Sequence, residues 1–155
     1  MERTINQVKK DLQEIATQHR QIETFFFGDF MDAINSEDAV DYVLMTATLQ
    51  PSTMGEDFVN VNLNIVICDK YNEGDQRNID EIHSDCMQIC RDIYVTLKQY
   101  KYEDYLSIEG DVSTTPFINK GADMTAGWAI DISLKIFDDE NWCAIPYDSF
   151  DFGNT

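Results

Sequence analysis

Basic residues are scarce in this chain. Eleven Lys and Arg stand against 29 Asp and Glu in 155 residues, a formal net charge of −18 with both histidines neutral. A surface of that sign repels phosphate backbones, so no tight nucleic-acid binding is expected. It repels anionic lipid headgroups for the same reason, and no membrane partner is expected. Solubility is the plain consequence, and a role in electrostatics near DNA is the sharper one. Glycine and proline are also few, seven and three. The glycines stand apart, so no glycine-rich phosphate loop exists, and no Pro/Gly-rich linker divides the chain. No apolar run approaches the length of a membrane span, and the polar start MERTINQVKK does not read as a signal peptide. Four cysteines at irregular positions, without a secretory signal, suggest reduced thiols in a protein made in a cytoplasm.

What is present is ordinary for a globular protein: 43% hydrophobic and 26% charged residues, in a length that suits one domain with a sizeable core. Residues 3–22 carry Ile5, Val8, Leu12, Ile15, His19 and Ile22 on one stripe, which predicts an amphipathic helix. Thr24 to Phe30 is a short aromatic segment, a strand or buried turn, and Ala33 to Ala39 reads as a polar loop. Residues 40–50 are rich in β-formers and are expected to end at Pro51.

The strongest signal is FVNVNLNIVIC, residues 58–68. Val59, Val61, Leu63, Ile65 and Ile67 alternate with Asn60, Asn62 and Asn64, which predicts an antiparallel strand with one buried and one wet face. A second helix is predicted over 78–100, with Ile79, Ile82, Cys86, Ile89, Cys90, Ile93 and Leu97 on its apolar side and Asn78 as N-cap. Strands follow at 105–112 and 128–137, the latter with Trp128, Ile130, Ile132, Leu134 and Ile136 inward. The fold class is therefore α+β: an antiparallel sheet of four to five strands with helices on one face, as a single domain over residues 1–146.

Chemistry-bearing constellations are weak. His83, Cys86 and Cys90 share a helix face, but the cysteines fall on the apolar stripe, where a free thiol behaves as a small hydrophobe. Cys68 and Cys143 do not make a convincing second ligand pair. Asp69 to Asp80 lacks the calcium-loop pattern, with Tyr71 at the third position and Asp80 at the twelfth. Among 29 carboxylates an acid–base pair can always be chosen, so the choice carries no information. No metal, cofactor or enzymatic activity is expected.

The second half holds a distinctive succession: Thr115-Pro116-Phe117, then Asp123, then Ala126-Gly127-Trp128 opening an alternating strand, then Cys143 to Pro146. In the first half, Tyr42 to Leu49 runs into Gln50-Pro51, and a second alternating strand ends at Cys68-Asp69. In this pattern the chain resembles small tailed-phage neck, tail-completion or tail-terminator proteins, with the specific motifs confined to residues 115–146. The resemblance implies a tail-terminator-like fold and a virion structural protein made in a host bacterial cytoplasm. It also implies a six- or twelve-fold homo-oligomeric ring at the head–tail connection, contacting other neck, portal or tail proteins. Such a ring would surround the DNA path, and no catalytic residues are implied. A cytoplasmic protein-binding module that uses a free sheet face is the alternative.

Residues 147–155 form an acidic-aromatic tail that matches no motif of that group. Tyr147, Phe150 and Phe152 alternate with Asp148 and Asp151 in a segment too short for its own core. These three aromatics are the expected subunit-interface anchors.

Overall fold

A computed structural model of the chain describes residues 4–35, 40–99, 106–108, 111–120, 124–137 and 146. In chain order the elements are α1 (Ile5–Gln18), β1 (Thr24–Phe27), α2 (Phe30–Ile34), β2 (Leu44–Met54), β3 (Phe58–Lys70), α3 (Gln76–Leu97), β4 (Leu106–Ile108), β5 (Ser113–Asn119) and β6 (Thr125–Phe137). The six strands form one sheet in the order β1-β2-β3-β6, and the far edge of β6 is shared by β4 and β5. The α+β class holds. The pairing of β1 with β2 is parallel and all the others are antiparallel, so the sheet is mixed.

The long β3–β6 ladder forms the centre, running from Phe58 opposite Phe137 to Lys70 opposite Thr125. Its alternation does what period two requires: Leu63, Ile65 and Ile67 face the same side as Ile132, Ile130 and Trp128. The apolar stripes of α1 and α3 cover that side. Leu12, Ile89 and Ile93 join Leu63, Ile65, Ile67, Ile130 and Ile132 among the fully buried side chains. This cluster supplies the main stabilisation through apolar area removed from water.

Helix starts are set by side-chain caps. In α1, Thr4 and Gln7 form a reciprocal capping box: the Thr4 hydroxyl accepts from Gln7 N–H at 3.2 Å, and Gln7 Oε1 accepts from Thr4 N–H at 2.8 Å. The cap of α3 is Asp75, not Asn78. Asp75 Oδ1 accepts from Asn78 N–H at 3.1 Å, while Asn78 Oδ1 turns back to accept from Asn72 N–H at 2.8 Å. Asp75→Ala is expected to cost about 1 kcal/mol of stability, measured as a lower urea midpoint with an unchanged slope.

Four further boundaries differ from the sequence reading. Phe30–Ile34 is a short helix with Ala33 and Ile34 buried, not the start of a polar loop. Strand β2 continues past Pro51 to Met54 by way of a register shift between Gln50 and Thr53. Ser113–Asn119 is a strand, where the sequence reading placed none. Residues 111 and 112 lie outside any strand, and β4 is only Leu106–Ile108. At Pro51 and Pro116 the physical reason is the same. An edge position or a bulge does not require the N–H that proline lacks.

The second face of the sheet is only partly open. At one end, α2 lies over it: Ala33 and Ile34 pack with Leu44 and Cys68, and Phe26, Phe30 and Phe117 complete a second small core. Leu44 and Cys68 are cross-strand partners. They have the opposite parity to Met45 and Ile67, which places this cluster on the far side from α1 and α3.

Candidate interaction surfaces

Among the described residues, the cysteines and histidines singled out in the sequence serve the core and local hydrogen bonds. Cys86 and Cys90 are buried in the main core, and desolvation pushes both thiols up to about 12. Burial raises Cys68 as well. Thiols held neutral in this way are poor metal ligands and poor nucleophiles. Among the described residues, no three His, Cys, Asp or Glu converge as a metal ion would need.

His83 has a structural position. Its Nε2 donates to the Phe117 carbonyl at 3.1 Å, and its own carbonyl accepts from Trp128 Nε1 at 2.8 Å. The residues that end Thr115-Pro116-Phe117 and Ala126-Gly127-Trp128 therefore meet at one turn of α3. His19 caps the C-terminus of α1, and its Nε2 lies 2.8 Å from Asp92 Oδ2 on α3. Gln21 N–H donates to His19 Nδ1 at 3.2 Å, so Nε2 carries the proton shared with Asp92. At the end of β3, Asp69 Oδ1 accepts from Lys70 N–H at 2.8 Å, and in the first turn of α3 Asp80 Oδ1 accepts from Gln76 Nε2 at 3.0 Å. Both carboxylates thus serve local hydrogen bonds.

The surfaces are more informative. Where α2 ends its cover, the second face of the sheet continues as a band of small polar groups. Register sets Thr48, Asn64 and Asp131 side by side, then Gln50, Asn62 and Ser133. Asn64 Nδ2 donates to Asp131 Oδ1 at 2.9 Å, and Asn62 Nδ2 donates to the Pro51 carbonyl at 2.7 Å, which pins the β2 bulge. At the far end of the band, Lys135 Nζ sits 4.2 Å from the centre of the Phe58 ring and 5.7 Å from that of Phe137.

Past this band β6 still accompanies β3 to Phe58, and Gly55, Glu56 and Asp57 join β2 to β3. Strand β1 pairs with β2 only from Leu44 to Ala47, so the rest of β2 is an edge strand. Its helix-side apolar residues are poorly covered: Leu49 is 43% exposed and Met54 82%. A cavity of about 350 Å³ opens at the other end of the sheet, lined by Tyr71, Ile79, Ile118 and Met124, with Lys120 on its rim. A second cavity of the same size lies between α3 and the start of β5, lined by Met87, Cys90, Arg91, Tyr94, Val112 and Ile130.

Tyr147, Phe150 and Phe152 lie outside the described residues, as do Asp123 and Cys143. The exposed apolar residues on the edge of β2 were missed in the sequence, although one signal was present. Leu49 and Met54 flank Pro51, and a strand that ended at the proline would have hidden their shared face. Among the described residues, no helix is long and apolar enough to cross a membrane. Comparison of the chain with protein-family models and with curated proteins finds no match to either.

Proposed function

We propose that this protein is a structural component of a tailed-phage particle that forms a ring at the head–tail connection, as a neck, tail-completion or tail-terminator subunit. The observation that carries the reading is the outer edge of β2, unpaired beyond Ala47. It leaves Leu49 and Met54 in water, where a monomer gains nothing from them and a neighbouring copy would. The pattern of residues 115–146 supports the same reading, and their Phe117 and Trp128 meet at His83 to tie β5 and β6 to α3. With −18 net charge, a closed ring would present an acidic wall to DNA, which repels the duplex and lets it slide.

The decisive measurement is the copy number of this chain in purified particles, because an isolated subunit can stay monomeric until its platform is present. Six or twelve copies are expected, and one or two would defeat the ring. The alternative, a cytoplasmic module binding a protein through its second sheet face, is favoured by the hydroxyl and amide band from Thr48 to Ser133. That reading requires a monomer absent from particles.

A further inference from the structure

We infer that the groove between α3 and the outer edge of β5 binds an extended segment of a different protein. The segment adds to β5 as a further strand and carries an acidic residue at one end and a basic residue at the other. Such binding stands whether or not a ring forms.

The hydrogen-bonding direction of β5 follows from one contact. Tyr71 N–H donates to the Met124 carbonyl at 3.0 Å, so the even-numbered residues of β6 bond to β3 and the odd-numbered ones to β5. Gly127 and Ala129 therefore engage Phe117 and Thr115, while Thr114, Pro116 and Ile118 turn their backbone groups outward. Among the described residues, no strand pairs with that outer edge. Pro116 brings no donor, but the N–H groups of Thr114 and Ile118 and the carbonyls of all three residues are offered there.

The side chains of the same residues mark the groove. Thr114, Pro116 and Ile118 stand opposite Ile130, Trp128 and Ala126, which places them on the helix side of the sheet. Thr114 lines the cavity walled by Met87, Cys90, Val112 and Ile130, and Ile118 lines the one walled by Ile79 and Met124. The two are four residues apart along β5, roughly 13 Å at strand rise. A strand added to β5 repeats that spacing, so two of its helix-side side chains, four residues apart, enter the two cavities. Main-chain bonds along an edge, with pockets for alternate side chains, are the elements of strand addition.

Charge gives the occupant its polarity. At the Thr114 end, Arg91 makes no ion pair among the described residues, and Lys98 Nζ lies 5.0 Å from the centre of the Tyr94 ring that lines the same cavity. These two cations face one carboxylate, Asp111. At the Ile118 end the balance reverses, with Glu73 and Asp75 against Lys120. The groove thus runs from a cationic end to an anionic one. An acid at the first and a base at the second complement both, whereas an all-acidic segment is repelled at the second. A single added strand covers little area, so the affinity expected is that of a weak, exchangeable contact.

The test titrates the purified full chain with a synthetic peptide of about seven residues: two isoleucines four positions apart, threonines between them, a glutamate before the first and a lysine after the second. Binding in the micromolar range is expected, and none at millimolar peptide would overturn the site. Thr114→Pro removes an outward N–H without touching the ladder to β6. It should keep the melting temperature and weaken the peptide about tenfold; unchanged affinity would overturn strand addition. Should that variant unfold, N-methylation of the peptide amides that face β5 blocks the same bonds on the unaltered chain, and undiminished binding would again be fatal. Arg91→Glu should weaken the peptide about tenfold, and replacing the peptide's glutamate with lysine should restore it; failure of that rescue would overturn the assigned polarity. Two other occupants would show themselves. A peptide with the sequence of residues 147–155 that binds more tightly would give the groove to the chain's own tail. Self-association of the chain that Thr114→Pro abolishes would give it to a second copy. Either result would overturn the separate partner.

Discussion

Ile65→Asp is expected to destabilise the fold by roughly 4–5 kcal/mol, enough to leave much of the chain unfolded near room temperature. Ile65 is fully buried at the centre of β3, opposite Ala47 on one side and Ile130 on the other. The substitution removes a packed side chain and puts a carboxylate where no donor awaits it. Protonation offers partial relief. The folded-state pKa of this carboxyl would be raised above its unfolded value, so its penalty is smallest below the unfolded pKa and grows as pH rises through the window between the two. Urea denaturation of variant and parent, paired at each pH, should show a gap that narrows as pH falls toward about 4. The same carboxylate at Ser133, which faces the opposite side of the sheet, should cost under about 1 kcal/mol. Equal penalties at both positions would mean that β3 and β6 have been assigned the wrong face.

Gly127→Ala should be nearly as damaging, with a loss of about 3 kcal/mol or more. Gly127 sits inside β6 opposite Cys68, and a methyl group there would overlap the Ile67 carbonyl oxygen and press on the Cys68 Cα. Both obstacles are backbone, so no side-chain rotation relieves them. The two central strands would have to part where the long ladder also carries Phe117 of β5. Spreading them disturbs the Phe117–His83–Trp128 connection as well, so the expected signature is a lower urea midpoint with altered tryptophan fluorescence. Gly55→Ala is the comparison. Its methyl would first meet the Phe58 ring, a side chain that can swing aside. Stability of Gly127→Ala equal to that of Gly55→Ala would show that β3 and β6 are not so closely apposed.

Gly127 also shows why a motif can be visible while its role is not. In the sequence, Pro116 and Gly127 bracket what looks like a loop, since both are common breakers. In the structure both lie within paired strands. Pro116 stands opposite Trp128 on a strand whose outer edge asks nothing of its missing N–H, and Gly127 is required by the closeness of the next backbone. Helix α2 escaped for a different reason. Five residues, Phe30–Ile34, are too few to display a helical period, and Ala33 and Ile34 are buried only because Leu44 and Cys68 arrive from distant strands.

By itself, the sequence determined the central architecture. Alternation from Val59 to Ile65 and from Ile130 to Ile136 marks one side for burial, and the stripes of α1 and α3 match that side in character. These are local periodicities, written wherever the backbone geometry repeats. Only the tertiary structure decided the rest: the parallel pairing of β1, the small second core under α2, the passage of β2 beyond Pro51, and the exposure of Leu49 and Met54 on its unpaired edge. Each depends on which residues distant in sequence become neighbours. A chain's local pattern can state that a face is apolar, but only the register of its partners determines whether that face is covered.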